Sequence, residues 1–181
     1  MILEGDAAWR FIKGYKKLLL EIHGEGGSHA KENVVPKLAR ARATLMEQPT
    51  LLQEAPARLA ARSESIDPEV FQAVASLEVR EWIYLRDTKV HSIFMDAATK
   101  RAFGVLGLTE RLRDIIGGSG VSLEAGLVHY RGRFVCDGVL NTTLWLGPSY
   151  KRSFNAAFAE MKAEGRFYVK CDANRVSHIS D

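Results

Sequence analysis

Apolar residues near the N-terminus recur every three to four positions, the period of one helical face. Ala8, Phe11, Ile12, Tyr15, Leu18, Leu19 and Ile22 fall on one side, with Arg10, Lys13, Lys17 and Glu21 on the other. Asp6 is a suitable N-cap, so a helix is predicted from there to about His23. Trp9 and Leu20 widen the apolar stripe. Trp9, Phe11 and Tyr15 among Arg10, Lys13, Lys16 and Lys17 have the composition of a nucleic-acid surface, but this period assigns the aromatics to a core and the lysines to a solvated face.

His23-Gly24-Glu25-Gly26-Gly27-Ser28-His29 reads as a linker, since its glycines interrupt the pattern and its His/Glu spacing matches no metal motif. Asn33 and Pro36 open a second helix with Leu38, Ala41 and Leu45, and Pro49 stops it. A third, alanine-rich stretch runs from Leu51 to Arg62. Asp67-Pro68-Glu69 combines a cap, a first-turn proline and an acid near the positive helix end. It starts a fourth helix carrying Val70, Phe71, Val74 and Leu77.

Beyond that helix the pattern turns to strands. Glu81 to Arg86, Val90 to Met95 and Ala102 to Leu106 are rich in aromatic and β-branched residues. Turns at Asp87-Thr88-Lys89 and Asp96 to Arg101 make them a three-stranded meander. Within it His91 reads as a satisfied core or edge residue. Thr109 caps a short helix with Leu112, Ile115 and Ile116, ended by Gly117-Gly118. Later, Thr142 to Leu146 forms a strand that Gly147-Pro148 breaks. Ser149 then caps a helix with Phe154, Ala157, Phe158 and Met161, closed by Gly165. Arg166 to Lys170 has the charges of an edge strand.

The densest polar chemistry lies between, in Gly126 to Gly138. Arg131-Gly132 is a two-residue hairpin connection, with Gly132 suited to positive φ. That register faces Tyr130 with Arg133, Val128 with Val135, Gly126 with Asp137 and Glu124 with Val139. The other face pairs His129 with Phe134, Leu127 with Cys136, Ala125 with Gly138 and Leu123 with Leu140. It is nearly all apolar and should lie on the core. Asp137 is an unusual mid-strand residue, opposite a glycine and diagonal to Glu124. It would either hold a cation, a base or a basic partner together with Glu124, or pair with Arg133 as a surface contact worth about 0–1 kcal/mol.

The chain has 181 residues, 46% of them hydrophobic and 26% charged, as in an ordinary globular protein. The net charge of +3 is too small to demand a nucleic-acid partner. Met1 to Asp6 is acidic where a secretion signal is basic, and no apolar run nears the roughly 18 residues of a membrane span. A cytoplasmic protein with no membrane partner is therefore expected. The two cysteines are too few for a disulfide framework or a thiolate zinc site, and Cys136 reads as a small buried hydrophobe. The sequence contains no HExxH, CxxC, GxSxG, GxGxxG or P-loop pattern, and no metal or cofactor is assigned.

These observations predict an α+β protein with a mainly antiparallel sheet, a meander plus the central hairpin 121–140. Short N-terminal helices and a C-terminal helix should cover it. The expected divisions are 1–78 helical, 79–170 the antiparallel α+β domain and 171–181 a polar tail. The expected function is a binding or regulatory module. It would contact a protein or nucleic acid through a basic turn at Arg131 and Arg133 and through helix surfaces, with Tyr130, Asp137 and Glu124 beside the turn. The alternative is a metal-assisted hydrolase or nuclease centred on Glu124 and Asp137.

Overall fold

The computed structural model describes residues 1–24 and 34–171, apart from the side chains of Thr142 and Thr143. Residues 25–29 of the expected linker, Asn33 and the tail from residue 172 on lie outside the described residues. The chain divides into two units: Gly5–Ser76, and Met1–Glu4 together with Leu77–Asp181.

The first unit holds α1 (Gly5–Ile22), α2 (Val34–Glu47), α3 (Thr50–Ala60) and α4 (Pro68–Ala75). α1 packs against the other three. It buries Ala8, Phe11, Tyr15, Leu18, Leu19 and Ile22, as its period predicts. Phe11 and Tyr15 stack at 5.3 Å. Trp9 departs from expectation and is 64% exposed, because it lies about 200° round the helix from Phe11. α1 and α4 come close at Gly14, where a Cβ would stand 2.8 Å from Val70 Cγ1. At the start of α4, Asp67 Oδ1 accepts from the N–H groups of Glu69 (2.9 Å) and Val70 (3.4 Å). Arg10 Nε donates to Asp67 Oδ2 at 3.1 Å, so the cap also ties α4 to α1.

In the second unit the expected meander is present as β1 (Glu78–Asp87), β2 (Ser92–Asp96) and β3 (Arg101–Leu106). The central hairpin is β4 (Val121–Tyr130) and β5 (Arg133–Cys136). β4 also pairs antiparallel with β1, from Glu78↔Leu127 to Tyr84↔Val121. β5 pairs with β3 in parallel, through Val105↔Phe134 and Leu106↔Val135. The order β1-β2-β3-β5-β4 therefore returns to β1 and closes a five-strand barrel. Most pairs are antiparallel as expected, but the sheet is mixed and closed on itself. β6 (Asn141–Trp145) adds antiparallel to β4, and β7 (Phe167–Tyr168) adds parallel to β3. A bridge from Ile2 to Gly107 places the first residues of the chain with the barrel.

Alternate positions point inward. Trp82, Tyr84, Phe94, Val105, Leu123 and Leu127 belong to one buried cluster, joined by Leu112 from α5 (Leu112–Ile116). Burying each such side chain contributes about 1.5–3 kcal/mol. Trp82 Nε1 donates to the Ala125 carbonyl at 3.0 Å, which satisfies the indole inside the barrel. A second layer lies outside, where Phe158 and Met161 of α6 (Pro148–Ala163) pack on Ile83, Leu85, Ile93, Met95 and Ala102. Among the described residues no helix is long and apolar enough to cross a membrane.

The Arg10 guanidinium bonded to Asp67 holds that carboxyl below its ordinary value of 3.8, helped by the Glu69 and Val70 N–H groups against a smaller effect of burial. A lowered folded pKa gives stability that is fully present above the ordinary value and lost as pH falls through the lowered one. Asp67→Ala should lower unfolding stability by about 1 kcal/mol near neutral pH. Asp67→Asn, which keeps a capping oxygen, should lower it less. In urea titrations the gap between wild type and Asp67→Asn should close between about pH 5 and pH 2.

Candidate functional site

The hairpin takes the expected register, pairing Tyr130 with Arg133, His129 with Phe134, Val128 with Val135 and Leu127 with Cys136. Arg131 (φ 51°) and Gly132 (φ 69°) are both left-handed, the combination a primed two-residue turn requires. A left-handed arginine costs about 1–2 kcal/mol that a glycine there would not. Its guanidinium lies 5.6 Å from the Tyr130 ring centroid, a contact that offsets part of this. The apolar face His129, Phe134, Leu127 and Cys136 points inward as expected; Leu127, Phe134 and Cys136 belong to the barrel core. His129 packs edge-on against Phe134 at 5.1 Å, and burial lowers its pKa, with Glu78 acting in the opposite direction.

The other face corrects the expectation. Val128, Tyr130, Val135 and Asp137 are all buried, so the polar side of the hairpin is not a solvent-facing pocket. Asp137 is 3% exposed, and its Oδ1 accepts from the N–H groups of Val139 (3.0 Å) and Gly126 (3.3 Å). The gap beside Gly126 is filled by this carboxylate, since a Cβ there would be 2.3 Å from Asp137 Oδ2. The reason for an aspartate in this strand is local. β5 ends at Cys136, and the carboxylate serves backbone donors where the chain leaves the ladder. Arg133 is exposed and forms no ion pair with Asp137.

Glu124 does not face Val139 either. A register shift beside it sets it opposite Asn141 of β6, whose Nδ2 donates to Glu124 Oε1 at 3.0 Å. On its other side it faces Glu81 of β1. Among the described residues no group of three or more His, Cys, Asp or Glu is placed to hold a metal ion. Of the two carboxylates in the metal-assisted alternative, Asp137 is buried and Glu124 is half-buried and bonded to Asn141. Tyr130, 1% exposed, supports the turn and offers no free ring.

Of the predicted binding residues, Arg131 and Arg133 are exposed at the hairpin tip. The chain end of β7 is tied to this turn by Cys171 N–H donating to the Gly132 carbonyl at 3.2 Å. Arg133 also reaches the β1–β2 loop electrostatically. His91 has a lowered pKa, mainly through burial, and the charge of Arg133 lowers it further.

Cations outside the predicted set stand in the same loop (Lys89), in the β3–α5 connection (Arg111) and in α5 (Arg113). Lys89, Arg111 and Arg113 line a surface cavity of about 700 Å³ with Met1, Asp87, Thr88 and Asp114. Its β1–β2 wall is stiff: Asp87 Oδ1 accepts from Tyr84 Oη (2.8 Å) and Ser92 Oγ (2.6 Å). Thr88 Oγ1 closes the loop on the His91 carbonyl at 2.8 Å. The only local hint in the sequence is Arg111 and Arg113 flanking a core leucine. The approach of Lys89 is a tertiary fact. Comparison with known proteins gave no matching family model, curated protein or solved structure.

Asp137→Ala should destabilise by about 2–4 kcal/mol in denaturant titrations, because two buried N–H groups lose their acceptor. Gly126→Ala should lose stability too, its methyl colliding with Asp137 and with Leu77 Cδ1, 2.7 Å away. Wild-type stability in both variants would sink the locking role given to this pair.

Proposed function

We propose that this chain is a binding module that docks on the phosphate backbone of a nucleic acid with the barrel end bearing Arg131 and Arg133. The observation that carries it is the hairpin tip. A primed turn holds an arginine in a backbone region that favours glycine, with a second exposed arginine beside it. Strained non-glycine positions that persist are a reason to look for a role at that place.

The barrel form supports the same choice by analogy. Small five-stranded Greek-key barrels of the oligonucleotide- and oligosaccharide-binding kind take ligands on strands two and three and on the loops joining strands one–two and four–five. Likeness of form does not by itself carry function. Here the outer side of β2 and β3 lies under Phe158 and Met161 of α6. The two loops remain: one carries Lys89, the other Arg131, with Arg133 directly after it.

Fluorescence anisotropy with labelled single-stranded oligonucleotides tests this. Affinity should fall linearly with salt on logarithmic axes, and Arg131→Ala/Arg133→Ala should flatten the slope by about 1–2. Arg131→Asn should weaken binding while leaving stability equal or up to ~1 kcal/mol higher, since asparagine tolerates the turn. No binding at low salt would reject the nucleic-acid partner and leave a protein partner as the reading to pursue.

A further inference from the structure

We infer that the cavity between the β1–β2 loop and the β3–α5 loop is a binding site for a phosphomonoester dianion, held by Lys89, Arg111 and Arg113. The inference uses different residues from the hairpin tip and stands whether or not that tip binds nucleic acid. All three cations are exposed, and none forms an ion pair among the described residues. Elsewhere in the same unit Arg80 is bridged to Glu78 and Asp96, and Arg166 to Glu164.

Two carboxylates also line the cavity, and they differ in what they can do. Asp87 accepts from two hydroxyl donors at Oδ1, on the Tyr84 and Ser92 side. Asp114 stands in the one helical turn of α5, and the lining side chains together carry one positive charge in excess. Three separate cationic donors suit a compact oxyanion with several acceptor oxygens, which guanidinium groups grip through charge-assisted hydrogen bonds. The concave shape points the same way. Internal phosphodiesters of a long strand suit a charged stripe, whereas a cavity of about 700 Å³ has room for one phosphorylated end or one mononucleotide-sized molecule.

Both walls are fixed before a ligand arrives. The β1–β2 loop is closed by Thr88 on His91, and the β3–α5 loop is pinned where Gly107 N–H donates to the Met1 carbonyl at 2.9 Å and the Gly107 carbonyl accepts from Leu3 N–H at 3.0 Å. Little ordering of backbone is then required on binding.

Isothermal titration of the full chain with inorganic phosphate, a nucleoside monophosphate, and an oligonucleotide with and without a 5′-phosphate tests the site. The terminal phosphate should tighten binding about tenfold or more over the unphosphorylated strand. Arg111→Gln/Arg113→Gln should abolish that increment, and Arg111→Lys/Arg113→Lys should retain part of it. Arg131→Ala/Arg133→Ala should leave the increment intact, which separates this site from the hairpin tip. Binding of the monophosphate would point to a small-molecule source, and binding of the phosphorylated strand alone to a nucleic-acid end. Equal affinity for all strands with no phosphate binding, or an increment unaffected by Arg111→Gln/Arg113→Gln, would overturn the inference.

Discussion

Closure of the barrel depends on a strand of four residues. β5 reaches β3 through only two residue pairs, Val105↔Phe134 and Leu106↔Val135, while its other edge is spent on β4. So short a strand has to stop at the right residue, and the Asp137–Gly126 contact is where it stops. The absent side chain at 126 lets the carboxylate in, and the carboxylate takes the N–H groups of Gly126 and Val139. The chain then leaves the ladder and rejoins β4 four residues farther on as β6. Without that local solution, buried donors would be left unpaired at the break.

Closure in turn decides what the surface can be. Folding the sheet on itself puts Trp82, Tyr84 and Phe94 inside, where the aromatic content of the meander is used up as core. The remaining apolar side of β1, β2 and β3 is taken by α6. Of the exposed cations, Lys89, Arg111 and Arg131 stand in connections between elements, Arg113 in α5 and Arg133 at the start of β5. Most side chains of β1 to β5 are buried, whereas β6 leaves Leu144 and Trp145 exposed.

The rigidity of those connections has an electrostatic consequence. Asp87 is satisfied by neutral hydroxyls, and the phenol of Tyr84 is pushed far above its usual range, first by burial and then by its bond to Asp87. A loop closed by its own hydrogen bonds would lose little backbone freedom on binding.

Local pattern alone determined most elements: the helical stripe of α1, the Asp67 cap, the meander, the hairpin with its register from Leu127↔Cys136 to Tyr130↔Arg133, and the last helix. Local pattern works there because neighbours three or four apart in a helix, and two apart in a strand, share a face whatever the rest of the chain does. Tertiary structure decided the parallel β3–β5 seam, the burial of Asp137 and Tyr130, the exposure of Trp9 and the meeting of Lys89 with Arg111 and Arg113. Each of these joins segments distant in sequence or depends on what covers a face, and a hydrogen-bonded parallel seam leaves no period in either strand to announce it.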